Sequence, residues 1–172
     1  MNTACTPHSL PSSLPAELQT AYGKAWYWVD APRRQTAAAS VPDIESAPAQ
    51  PAPHPARWRL QLGPPQPHLQ FYYQQLGVNC ACYLTACNPL GQLLSETDNA
   101  ARMQQLRSEL RTEGWTFHPG FGQDPEQQWP GEDSVLVWGM DISSARRWGQ
   151  RWQQNAVLIC DAEAKASLLW LR

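Results

Sequence analysis

The stretch CACYLTACNPLGQLLSETDNAARMQQLRSELRTEG, Cys80–Gly114, changes periodicity in its middle. Its opening third is apolar at nearly every position, the pattern of a strand buried on both faces. Polar Thr85 and Asn88 and the strand-breaking Pro89 then interrupt it. From Ser95 onward the spacing is helical: apolar Met103, Leu106 and Leu110 share one stripe with the polar Asn99, Ser95 and Asp98 make a capping-box-like start, and Gly114 is the stop. A buried strand feeding a capped amphipathic helix requires a sheet with helices packed on it.

Upstream, RWRLQL (Arg57 to Leu62) alternates as a half-exposed strand, and Leu69, Tyr72, Tyr73 and Leu76 form a helical stripe within His68 to Leu76. AYGKAWYWVD reads as the end of a short helix followed by a strand. Downstream, WTFHPGFG and SVLVWG are two strands. Asp141 caps a helix with the stripe Ile142, Ala145, Trp148 and Trp152, and NAVLIC and SLLWL are the last strands. The expected fold is α+β: a single domain with a mixed β-sheet of about six to seven strands and three helices. Fifteen residues separate Gly63 from Asn79, and fifteen separate Gly139 from Asn155, so the chain reads as two ββαβ units, by duplication or by reuse of a common motif.

At 172 residues, 42% of them hydrophobic, the chain can enclose one core. Residues 1–20 are expected to be a flexible N-terminal segment and 21–172 the domain. The run APRRQTAAASVPDIESAPAQPAPHP, within 31–56, is a Pro/Ala-rich disordered insertion in a hairpin. A net charge of −2 argues against a general nucleic-acid binder, although a local basic face is compatible with it. No apolar run reaches the roughly 18 residues of a membrane span. The start MNTACTPHSLPSS lacks the marks of a signal peptide, so a soluble, cytoplasmic protein without membrane association is expected. Five cysteines, three of them in CACYLTAC, fit reduced buried thiols, and the pair Cys80 and Cys82 has no further ligand at metal spacing, so no metal is expected. No motif specifies a cofactor, a reaction or an oligomeric state.

Several landmarks fall in a fixed order: Thr85-Ala86-x-Asn88-Pro89, Leu94-Ser95, Asn99-x-x-Arg102, Glu132-x-Ser134 and Gln154-Asn155-Ala156. Together they resemble a family of small bacterial proteins known as domain of unknown function 3293. The resemblance runs from about Tyr22 to Leu171, apart from the insertion, and departs from the family at Cys87, where an aromatic residue is usual. It implies an uncharacterised bacterial domain and carries over no reaction.

The candidate ligand-binding set is Thr85, Asn88, Ser95, Asn99, Arg102 and Gln154. A helix N-terminus beside the end of a central strand exposes unpaired N–H groups, and with Arg102 it suits a small anionic or polar ligand. The same residues also read as a buried loop satisfying its own polar groups, with Arg102 pairing with Glu132. Glu132, next to Asp133, is the candidate acid or base, because adjacent carboxylates raise one another's pKa. His118 has no nucleophile at recognisable spacing. The alternative function is a protein or nucleic-acid interaction module that uses the basic face of the helix over 142–154, with Arg146, Arg147 and Arg151. A third is an accessory protein whose Pro-rich insertion docks a partner.

Overall fold

The structure, a computed structural model, describes residues 13–30, 57–126 and 130–172. The expected insertion at 31–56 lies outside the described residues, as do 1–12 of the expected flexible segment. Described in order are α1 (Ala16–Lys24), β1 (Trp26–Asp30), β2 (Arg57–Leu60), α2 (Pro67–Leu76), β3 (Ala81–Leu84), α3 (Glu96–Thr112), β4 (Phe117–Gln123), β5 (Glu132–Trp138), α4 (Ile142–Arg151), β6 (Ala156–Cys160) and β7 (Ala166–Trp170). Helix α1 starts inside the span expected to be flexible, and it brings the count of described helices to four rather than three.

The seven strands form one sheet in the order β2-β1-β4-β5-β3-β6-β7. The sheet is antiparallel between all paired strands, not mixed; a lone parallel bridge joins Leu62 to Ala166. Strand β3 is central and buried at every position, while β2 is an edge with alternating exposure, as their sequence patterns require. Asp30 pairs with Arg57 at the open end of the β1–β2 hairpin, where the insertion leaves and returns.

β3 and β4 are parallel to each other with β5 between them, and α3 connects them. β5 and β6 are parallel with β3 between them, and α4 connects them. These interleaved split βαβ crossovers give the ferredoxin-like order of four strands and two helices, residues 81–160. The hairpin β1–β2 extends one side of this unit and β7 the other. The β1-β2-α2-β3 and β4-β5-α4-β6 successions do recur, but their helices lie on opposite faces of the sheet, an arrangement that a repeated rigid unit does not produce.

Strand alternation defines those faces. Cys82, Leu84, Val135, Val137, Val157 and Ile159 point to one side and meet Met103, Leu106 and Leu110 of α3 and Ala145 and Trp148 of α4. Tyr83, Leu136, Trp138 and Leu158 point to the other side and meet Leu69 and Tyr73 of α2. On that second face the sheet curls: the Gly63 N–H donates to the Ala166 carbonyl at 2.9 Å and the Gln66 N–H to the Ala164 carbonyl at 3.0 Å. The two edge strands are thereby stitched at one point, and few edge groups remain unpaired there. Helix α2 and an aromatic group of Trp58, Tyr72, His118 and Trp138 fill one end of this concave interior.

Candidate functional site

The other end of the concave interior is open. There β3 and β4 end, β1 and β5 begin, and α1 and the loop after β3 stand on either side. A cavity of about 320 Å³ lies between them, lined by Leu18, Tyr22, Ala25, Tyr27, Asn88, Gly91, Leu93, Gly122, Gln123, Glu132 and Asn155. A smaller recess of about 60 Å³ shares Tyr22, Tyr27, Gly122 and Glu132 with it and reaches inward past Tyr83, Thr85, Ser134 and Gln154. Glycines in β4 make the room. A Cβ on Gly120 would stand 2.7 Å from the Trp28 carbonyl and 2.7 Å from the Tyr83 ring, whereas one on Gly122 would meet nothing closer than 3.9 Å. Gly120 therefore lets Tyr83 lie against the sheet, and Gly122 leaves a gap in the wall.

The loop is held by amides. Asn88 sits at φ 45°, in the left-handed region that asparagine tolerates better than most residues. Its N–H donates to Asn99 Oδ1 at 2.9 Å, and its Oδ1 accepts from Asn99 Nδ2 at 2.9 Å and from the Leu94 N–H at 3.0 Å. Asn88 Nδ2 then donates to Glu132 Oε1 at 2.7 Å. Asn99, on the inward stripe of α3, thus locks the loop, and Asn88 carries that rigidity to the carboxyl at the cavity. Thr85 Oγ1 donates to the Asp133 carbonyl at 2.6 Å and accepts from the Cys87 N–H, while Gln154 Nε2 donates to the Cys87 carbonyl at 3.0 Å.

Six expected ligand residues therefore divide. Asn88 lines the main cavity, and Thr85 and Gln154 line the recess behind it. Asn99 is one step removed, acting through Asn88. Ser95 caps α3 in the expected way, accepting from the Asp98 N–H at 3.1 Å, but it is exposed and not on the cavity wall. Arg102 is not on the wall either: Nε donates to the Ala86 carbonyl at 2.7 Å, Nη2 to the Trp152 carbonyl at 3.2 Å, and the guanidinium lies over the Trp152 ring. Its partners are carbonyls, not Glu132.

Glu132, the candidate acid or base, lines the cavity, but Asp133 does not share its surroundings. Adjacent strand residues face opposite sides of the sheet, and Asp133 pairs with Arg107 at 2.8 Å. Burial is what pushes the Glu132 carboxyl above the usual carboxylate range, and the Asn88 hydrogen bond opposes that shift. Burial also raises Tyr27 and Tyr83; it raises Tyr22 too, where the Asn155 side chain pulls the other way and the Glu132 charge adds to the rise. These hydroxyls are neutral donors around neutral pH. His118 is remote from the cavity, packed edge-on to Tyr72 and Trp138 at ring distances of 4.8 and 5.3 Å, and burial lowers it to about 4.

Sequence reasoning missed Tyr22, Tyr27, Gly122 and Asn155 as wall residues. Asn155 had a usable signal: a polar residue directly before a wholly apolar strand, and 3% exposed in the fold. Its Oδ1 is buried with no hydrogen-bond partner among the described residues. The basic face expected on α4 is largely engaged: Arg151 pairs with Glu109 at 3.0 Å and Arg146 donates to the Trp170 carbonyl at 3.5 Å, while Arg147 is exposed. Among the described residues no helix is long and apolar enough to cross a membrane.

The chain is thus an α+β domain with a ferredoxin-like core, extended into a curled sheet with a cavity at its open end. Residues 84–157 match the model of a family described as protein of unknown function (DUF3293). The match covers somewhat less than half of the chain and runs from the end of β3 into β6, nearly the ferredoxin-like unit itself. It includes Asn88, Asn99, Glu132 and Asn155, whereas Tyr22 and Tyr27 lie outside it. No curated protein and no solved structure matches the chain.

Proposed function

We propose that the protein binds a small molecule in the cavity between α1, the loop after β3 and the ends of β4 and β5. The observation that carries this reading is Glu132, a half-buried carboxyl fixed by Asn88 and facing a space walled mostly by apolar groups. A fold that served only to close this end of the sheet would be more stable with a neutral side chain there, because desolvating a carboxyl is costly. Concave, mostly apolar spaces with a few fixed polar groups are the usual form of ligand sites.

The anionic half of the sequence-based expectation gives way to the polar half. Among the described residues no Lys, Arg or His belongs to the cavity wall and one carboxyl does, so charge favours a neutral or positively charged ligand group. Arg102 and Ser95 contribute by holding the loop and starting α3. The test is native mass spectrometry of the purified chain and of Gly122→Leu, whose side chain would project into the cavity. A small molecule retained by the first and lost by the second is expected. Equal retention by both would place the ligand elsewhere.

A further inference from the structure

Unpaired acceptors and a single charged group on the described wall of the cavity point to the ligand's chemistry. Three donors beside the cavity are engaged: Tyr27 Oη donates to the Tyr22 carbonyl at 2.6 Å, Tyr83 Oη to the Trp28 carbonyl at 3.2 Å, and Asn88 Nδ2 to Glu132 Oε1 at 2.7 Å. Two acceptors there are vacant. Asn155 Oδ1 is buried and unpaired, and Glu132 Oε2 carries no hydrogen bond among the described residues. A buried carbonyl oxygen left unpaired is destabilising, and native proteins rarely leave one so.

Resting on the small-molecule reading above, we propose that the ligand is a small amine or amidine: a compact N–H-rich cation on an apolar body, its head at Glu132 and Asn155 Oδ1. An ammonium group supplies up to three donors and accepts nothing, which complements two acceptors and one negative charge. An anion would meet Glu132 with like charge and give Asn155 Oδ1 no donor. A hydroxyl supplies one donor and leaves the second acceptor vacant. Leu18, Ala25 and Leu93 form apolar wall for the body of the ligand, and the tyrosine rings of Tyr22 and Tyr27 are surfaces on which a cation is tolerated.

The experiment compares three probes of matched shape, benzylammonium, benzyl alcohol and benzoate, by calorimetry, with the Asn155 side-chain amide followed by NMR. Benzylammonium is expected to bind about tenfold tighter than benzyl alcohol or more, to shift the Asn155 amide, and to outbind benzoate by a wider margin. Glu132→Gln should bring benzylammonium down to the affinity of the alcohol. Asn155→Asp, which adds a second carboxylate at the same place, should raise benzylammonium affinity, and it decides the matter if Glu132→Gln does not fold. Benzyl alcohol or benzoate binding as tightly as the amine, with the Asn155 shift, would overturn the amine assignment and leave the pocket standing. No binding by any of the three, and no difference between wild type and Gly122→Leu in retained mass, would overturn both.

Discussion

Replacing Asn88 by alanine removes three side-chain hydrogen bonds at once, to Glu132, to the Leu94 N–H and to Asn99 Nδ2. The first involves a carboxyl and contributes roughly 1.5–3 kcal/mol when that group is ionised; the other two contribute about 1 kcal/mol each. Alanine at φ 45° adds about 1 kcal/mol of steric cost. Asn88→Ala should therefore lower unfolding stability by about 5 kcal/mol, read as a fall in the urea midpoint with the slope unchanged. Asn88→Gly loses the same bonds without the steric cost and should recover about 1 kcal/mol of that loss. Asn99→Ala breaks the reciprocal amide pair from the other side, so the double variant should cost less than the sum of the singles by about 1 kcal/mol or more. An Asn88→Ala cost below about 1 kcal/mol, or strict additivity with Asn99→Ala, would refute the view that this amide pair holds the loop at the cavity.

Arg102→Ala should cost about 3 kcal/mol in urea unfolding, because two carbonyls lose a charged donor, while benzylammonium affinity changes less than about threefold. Gly120→Ala should destabilise by roughly 1–3 kcal/mol, read as a lower Tm, since its Cβ would meet the Trp28 carbonyl, which cannot rotate away. His118 is held near 4 by burial, so between pH 6.5 and 4 the unfolded chain takes up a proton that the folded chain refuses. Stability should fall across that window by on the order of 2 kcal/mol, and His118→Phe should flatten the profile of Tm against pH. Glu132 has the opposite sign: its folded pKa is raised, so its contribution is present below the unfolded value and is lost as pH rises through the folded one. Glu132→Gln should accordingly raise the Tm of the ligand-free protein at neutral pH.

Local signals served where a residue's role is set by its chain neighbours. Ser95 and Asp141 cap α3 and α4 as their spacing predicts, and the stripes Met103-Leu106-Leu110 and Ala145-Trp148-Trp152 face the sheet. The single α+β domain and its seven strands follow from such patterns. Strand order does not. Whether β3 pairs with β1 or with β5 depends on where α2 and α4 cross, and the equal fifteen-residue intervals after Gly63 and Gly139 hid the fact that these helices take opposite faces. Equal loop and helix lengths constrain reach, not side, and the side is chosen by the apolar residues of a sheet that neither interval contains.

The site was legible in proportion to how much of it lies in one segment. Asn88 and Asn99 stand eleven positions apart and announce each other, because a polar residue on the buried stripe of a helix needs a nearby partner. Glu132 could be marked as a candidate but not given its cause, since its neighbour in sequence, Asp133, faces away, and its neighbours in space come from α1, β1 and the loop after β3. Arg102 shows the converse error. A cation on a helix close to a loop reads as an anion receptor until the carbonyls of Ala86 and Trp152 are seen to be its partners, and Trp152 is fifty residues away. Once Arg102 is engaged, the charge left at the cavity is that of Glu132, and the sign of the expected ligand reverses. That reversal depends on one geometric fact, the absence of any basic side chain among the described residues of the cavity wall, so placing a cation there is the sharpest check. Gly122→Lys should deliver an ammonium toward Glu132 from within the chain. It should lower the Glu132 pKa and raise stability at neutral pH relative to Gly122→Met, a neutral side chain of comparable length. Equal stability of the two variants would mean that Glu132 does not govern the cavity's electrostatics.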